Sequence, residues 1–565
     1  MNIRAFALSP MVMAIGLTVG LSACHDSNSS SKATEAVTNP QRSDLAQPYM
    51  YQLVFENIAT GEPITDELQV KLTGPAVDAG LVVDANNVSV KGQTLTTNIG
   101  TVSVAADYDA SNTSFSVLVG NSATGWSQTG MQLSQDTSVA GNQTLVLKLI
   151  NPSQAAAINT NEELALSIAT KTFAAAADGA VTDALVTLST PSKQSTSDEG
   201  DKEDVGTTTI SLPAGVNALD ANGQKINLTG DISATTVKFG NSSASSMSAF
   251  PGGFAPTVVD ETGATDKTGA FITGGFAQFN LTDSTGTALK RFDKPVTLTI
   301  DLPKTSAQPD GTALVAGATY PVWSYDESTG KWQFEANGLI SEKTPVDANN
   351  FAVSFESTHL SYWNLDFLGR TCSGTLNLQR SAQDTRALSV ELVGVRGQRF
   401  FQTFYDVRDA KQVFARYPIG LNVNVIVRDE QNAILARSTT AQNLCAGGSV
   451  TIPAPPAVTR ANLIVNVTES CPSGTNRRPS PTFVYFYDGR RWQSGYARTN
   501  TSANVARLTF DGIRSGTVGK VYAFNPLKLR YDEQSITVNA PNTTATINFA
   551  DLNCKPVTGA TGTSN

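Results

Sequence analysis

The sequence predicts an all-β protein, a string of about four β-sandwich domains. Three observations carry that prediction. Short runs alternate apolar and polar residues, the period of a half-buried strand. Turn residues separate these runs at intervals of about ten residues, as in sandwiches. Charged residues make up only 16% of the 565-residue chain, whereas it holds 44 glycines; this suits many strands joined by tight turns. At ~150 residues per domain the chain has room for about four cores.

The same counts exclude several functions. Lys+Arg is 40 and Asp+Glu is 49, a formal charge of −9. No nucleic-acid partner is expected, because phosphate contacts need a basic surface. With 2 histidines in the chain, no metal site and no cofactor are predicted. The sequence holds no HExxH, Gly-x-Ser-x-Gly, P-loop or dinucleotide fingerprint, so an enzyme acting on an external substrate is not expected. A polysaccharide-active carboxylate pair is the weakest alternative, since its two acids need not be close in sequence.

The elements follow in chain order. Arg4 and the α-amine precede the apolar run Ala5–Leu21, interrupted by Ser9-Pro10. The run is shorter than the ~20 clean apolar residues of a spanning helix. It ends in Leu21-Ser22-Ala23-Cys24, which resembles the lipobox of bacterial lipoproteins. The resemblance implies a signal peptide over 1–23 and lipidation of Cys24 by diacylglycerol and a further acyl chain, such as palmitate. Membrane lipid is then the first partner, and two or three chains anchor firmly. His25 follows, where an Asp would favour inner-membrane retention. The expected location is therefore the outer membrane, periplasmic or surface-exposed. Residues 24–47 are rich in Ser, Thr, Asn and Gln, too polar to bury a core, and are read as a flexible tether.

A first β-sandwich is predicted over 48–151. Tyr51, Leu53 and Phe55 alternate, as do Val70 and Leu72, Phe115, Val117 and Val119, and Leu145, Leu147 and Leu149. The second unit spans 160–367. Its opening is ambiguous: Leu164, Leu166 and Ile168 alternate, but Ala174–Ala177 favours helix. Asp178-Gly179 suits a hairpin turn, so a strand is preferred. Further strands are expected at Thr208–Leu212, Thr235–Phe239 and Val296–Ile300. The acidic run Asp198–Asp204 is read as a solvated hairpin tip, since Lys202 sits inside it and EF-hand spacing is absent.

Composition changes at Cys372. Cys372–Asn565 holds 21 Lys+Arg against 12 Asp+Glu, which leaves 19 against 37 before it. Two related β domains are predicted, 372–458 and 459–556, with a disordered tail at 557–565; the predicted sandwiches as a set are of Ig-like or transthyretin-like type. Four cysteines allow three pairings. Cys372–Cys445 and Cys471–Cys554 are expected, because each pair brackets one unit. Arg477, Arg478, Arg490, Arg491 and Trp492 are the candidate binding residues here. Arginine presents paired donors to phosphate or carboxylate, so an anionic glycan, lipopolysaccharide or an acidic protein is the expected partner.

Residues Pro321–Asp366 concentrate three of the 5 tryptophans, Trp323, Trp332 and Trp363, and the histidine other than His25. The order is Trp323, the turn Ser328-Thr329-Gly330, Lys331-Trp332, the alternating Phe351–Phe355, then His359-Leu360-Ser361. This resembles the self-cleavage segment of GAIN/GPS domains. Ile210-Ser211-Leu212-Pro213 and Phe292–Ile300 resemble ZU5-type domains. The resemblance covers Thr208–Asp366 and implies His359 as base, Ser361 as nucleophile and a scissile bond after Leu360. The segment lacks the four cysteines usual in GPS motifs. The leading expectation is an adhesive or structural envelope lipoprotein, with self-cleavage at Leu360/Ser361 as the alternative.

Overall fold

The computed structural model describes residues 49–550 except for short stretches, chiefly 85–87, 135–141, 197–201, 396–399, 455–458, 471–475, 478–481, 489–491, 500–504 and 526–529. The architecture is all-β and multi-domain. Among the described residues no helix is long and apolar enough to cross a membrane.

In the first sandwich, Tyr49–Asn57, Val82–Asp84, Thr101–Ala106 and Asn142–Leu149 form one four-stranded sheet. Leu68–Thr73, Thr94–Thr97, Ser114–Asn121 and Trp126–Ser134 form the other. Alternation decides which side chains meet: Leu68, Val70 and Leu72 are buried while Gln69 and Lys71 are exposed. Phe55, Val70, Phe115 and Val117 share the core between the sheets.

The second unit is built on one 13-stranded sheet, with a separate two-stranded one beside it. Its main path runs Val186–Ser189, Thr208–Leu212, Arg291–Pro303, Asn350–His359, Lys331–Glu342, Thr319–Asp326, Tyr362–Gly369, Ala270–Thr282, Asp231–Phe239, Leu166–Ala174. The sheet folds over itself, because both halves of this path feed one core: Ile210, Leu298 and Val353 pack with Ala234, Phe279 and Leu365. The ambiguous opening is a strand, Leu166–Ala174. A short helix precedes it at Ala155–Thr160. The buried Lys193 Nζ ties the two, donating to the carbonyls of Ile158 (2.5 Å) and Leu166 (3.0 Å).

The outer face of this sheet carries Val237, Phe239, Phe276, Trp323 and Tyr362, which join a core continuing through Phe254 into Leu376, Val390 and Val425 of the third domain. That domain has a three-stranded and a four-stranded sheet, over Thr371–Thr451. The fourth builds an 8-stranded sheet from Arg460 to Ala550. In the first, third and fourth domains the opening strand pairs in parallel with the closing one: Tyr49–Asn57 with Asn142–Leu149, Thr371–Gln379 with Gly448–Thr451, and Arg460–Ser470 with Asn542–Ala550. A parallel pair needs a long connection, and here the rest of the domain is that connection.

The domains also touch directly. Gln128 of the first domain accepts a hydrogen bond at its carbonyl from Tyr362 Oη at 3.1 Å. Arg416 of the third donates to the carbonyl of Ala255 at 3.1 Å. Tyr485 of the fourth is half-buried beside Ser103 and Asp84 of the first, and loss of water there pushes its phenol up to about 12.

Candidate functional site

The segment with GPS-like sequence is built on a hairpin, Thr319–Asp326 with Lys331–Glu342. Asp326 Oδ1 accepts from the Ser328 N–H at 2.8 Å and from its hydroxyl at 2.6 Å. Gly330 closes the turn at φ +69°, a conformation open to glycine without a Cβ penalty. The tip is seated on the first domain. Ser116 Oγ donates to the Thr329 carbonyl, and Thr73 Oγ1 donates to the Ser328 carbonyl at 2.9 Å.

The three tryptophans are core residues. Trp323 Nε1 donates to the Asp366 carbonyl and Trp332 Nε1 to the Pro251 carbonyl, each at 2.9 Å. Trp332 packs on Phe250, Phe271 and Tyr325. Trp363 lies in the inner core against Phe355 and under the His359 ring.

His359 ends one strand and Tyr362 begins another that is not its neighbour in the sheet. Leu360 and Ser361 therefore cross from one layer of the folded sheet to the other. The crossing is pinned at both residues: the Leu360 N–H donates to the Lys290 carbonyl at 2.9 Å, and the Ser361 carbonyl accepts from the Phe279 N–H at 3.1 Å. Both residues are buried.

His359 Nδ1 lies 3.3 Å from Ser357 Oγ and Nε2 lies 3.6 Å from Glu335 Oε1. Burial holds its imidazole below the usual histidine range, with the Glu335 carboxylate opposing. The ring is thus neutral at neutral pH, the state a base requires. The Ser361 hydroxyl donates to the Tyr325 carbonyl. Among the described residues no hydrogen bond joins His359 to Ser361. The fold brings the two side chains to either end of one short crossing without placing one on the other.

Two neighbouring features were not singled out from the sequence. Lys290 pairs with Glu327 beside the crossing, and burial pushes its ammonium down to about 8 against the attraction of Asp326. Asp366 is fully buried; its oxygens accept from the Ile272 N–H at 2.7 Å and from Asn364 Nδ2 at 3.1 Å. Burial pushes this carboxyl well above the carboxylate range. Period-2 patterning marks Asp366 as an interruption of an apolar strand, but burial on both faces is a tertiary property.

The third domain contains the Cys372–Cys445 disulfide. Cys24, Cys471 and Cys554 lie outside the described residues, as do Arg478, Arg490 and Arg491. Arg477 is opposite Glu469 in a strand pair, and Trp492 is opposite Tyr487. In the acidic loop, Gln194–Thr196 pairs with Lys202–Asp204 as a hairpin, and Lys202 pairs with Glu162. Among the described residues no group of three His, Cys, Asp or Glu is placed to hold a metal ion.

No protein-family model matches the chain, and no curated protein does. Solved structures that resemble it include two pilins and a pilus adhesin. A minor pilin of Streptococcus agalactiae shares 10% identity over 33% of this chain and 100% of its own, at a TM-score of 0.15. The major pilin subunit of Bacillus cereus shares 9% over 89% of this chain and 99% of its own, at 0.13. A pilus adhesin of Lactobacillus rhamnosus shares 9% over 72% of this chain and 58% of its own, at 0.15. Scores this low carry nothing about function.

Proposed function

We propose that the chain is a lipid-anchored protein of a bacterial cell envelope, whose β domains serve adhesion or a structural role. The observation that carries this is Leu21-Ser22-Ala23-Cys24, followed by a polar stretch to residue 47 and then by sheet-built domains. The Cys372–Cys445 disulfide supports a compartment outside the cytoplasm, where thiols are not held reduced. Acyl chains on Cys24 anchor the protein in the outer membrane. The arginine-rich end, with Arg477, Arg478, Arg490 and Arg491, takes an anionic glycan, lipopolysaccharide or an acidic protein by charge-assisted hydrogen bonds. Intact mass spectrometry of the mature protein tests the anchor. An N-terminal Cys24 bearing acyl chains is expected; a non-acylated chain recovered from the cytoplasm would reject it.

Self-cleavage between Leu360 and Ser361 is the second reading. It is favoured by a neutral His359 and a buried hydroxyl flanking one pinned peptide. The step needs Ser361 Oγ to leave the Tyr325 carbonyl and His359 to take its proton. Oγ then attacks the Leu360 carbonyl, the C–N bond breaks, and the proton passes to the departing amine. Water hydrolyses the resulting ester to a Leu360 carboxylate and a free Ser361. A denaturing gel is expected to show two bands that Ser361→Ala merges into one. A single band after prolonged incubation of the unaltered chain rejects cleavage.

A further inference from the structure

A cleft of about 420 Å³ lies between the first domain and the outer face of the second, with Trp126 and Asn151 contributed by the first domain and Leu360 by the second. Its floor comes from two strands of the large sheet. Their register sets Ser233 opposite Thr282, Thr235 opposite Asn280 and Val237 opposite Gln278. Further along the same face are Phe239 and Phe276, stacked at 4.2 Å inside a hydrophobic core. One sheet face therefore changes from apolar to hydroxyl and amide where it passes under the cleft.

The chemistry of the lining is neutral and two-sided. Hydroxyls and carboxamides each donate and accept. The charged residues of the lining, Lys290 and Glu327, neutralise each other in an ion pair. Gln278 Oε1 is buried and has no hydrogen-bond partner among the described residues. The size falls among small-ligand sites, roughly 300–1,000 Å³. We propose that this cleft binds an uncharged saccharide, a ligand whose many hydroxyls match a lining of mixed donors and acceptors without net charge. The site is separate from the arginine-rich end and does not depend on cleavage at Leu360.

The test uses the purified full-length mature chain and saturation-transfer NMR. The probes are cellobiose, maltose, lactose and N,N′-diacetylchitobiose, with a galacturonate disaccharide as the anionic counterpart. At least one neutral probe is expected to receive saturation and the galacturonate disaccharide none. Ser233 is exposed on its strand, so Ser233→Trp fills the cleft from a position the fold tolerates; it is expected to weaken binding at least tenfold. Asn280→Ala, which removes a floor amide and leaves the cleft open, is expected to weaken it severalfold. Thermal melting of both variants is expected to match the unaltered chain. The proposal is overturned if no neutral probe is saturated, if the anionic disaccharide binds equally well, or if both variants bind as the unaltered chain does.

Discussion

Removing the Cys372–Cys445 bridge has an effect whose size follows from the chain. The bridge closes a separation of 73 residues. In the chain-entropy account, cross-linking removes about 2.1 plus 1.5R ln n cal/mol/K from the unfolded ensemble. For this loop that is roughly 15 cal/mol/K, or about 4.4 kcal/mol at 25 °C. The double variant Cys372→Ala/Cys445→Ala is expected to lose most of that from the third domain. Tryptophan fluorescence is a poor assay, since no Trp lies between 372 and 458. Hydrogen exchange reports the domain directly. Amides of Thr371–Gln379 and Leu388–Gly394 carry buried Leu376, Leu378, Val390 and Leu392. Their slowest protection is expected to fall by roughly a thousandfold, since ~1.4 kcal/mol is a factor of ten. The shared core with Phe254 and Trp323 limits the loss, because third-domain residues also pack against the second domain. A fall of less than tenfold would refute the entropic account of this bridge.

Four further outcomes are expected. In Gly330→Ala, a Cβ at φ +69° would lie 2.9 Å from Ser116 Oγ and 3.2 Å from the Gln132 N; the urea midpoint should fall by an amount equivalent to about 1–2 kcal/mol, and an unchanged midpoint contradicts the seating of the hairpin tip. His359 should titrate by NMR below 6.5. Because the folded state then binds fewer protons, stability should decline as pH falls through 6.5 toward the folded midpoint, and His359→Gln should flatten that slope; a midpoint above 6.5 sinks this. Asp366 has a raised folded pKa, so its stabilisation is complete below the unfolded value of 3.8 and wanes as pH rises toward the folded one. Asp366→Asn, which cannot ionise, should gain in melting temperature relative to the unaltered chain as pH rises above 3.8, and a constant difference would count against a buried neutral carboxyl. Trp332→Ala should cost about 3–5 kcal/mol by emptying a fully buried site; a loss below 1 kcal/mol would show the cavity collapses.

Much of the candidate site was legible, and the limits have physical causes. His359-Leu360-Ser361 stands out because a rare histidine follows an alternating strand between two tryptophans. The same pattern does not say that Ser361 would be held by the Tyr325 carbonyl, a residue 36 positions earlier. Nor does it reveal that Lys290 accepts from Leu360 through its carbonyl while its ammonium pairs with Glu327. Such contacts depend on a sheet folded over itself. The Ala155–Thr160 helix was missed for a local reason: it is only 6 residues long, too short to show a helical period.

The sequence by itself determined the all-β class, four of the eight strands of the first sandwich and the bracketing of the third domain by Cys372 and Cys445. These are local or nearly local properties: period-2 burial, turn residues and the positions of rare cysteines. Only the tertiary structure decided that the second unit is built on one folded sheet, that its outer face shares a core with the third domain, and that the same face turns polar beneath a cleft. A strand's alternation says that two faces differ. What each face meets is set by neighbours hundreds of residues away.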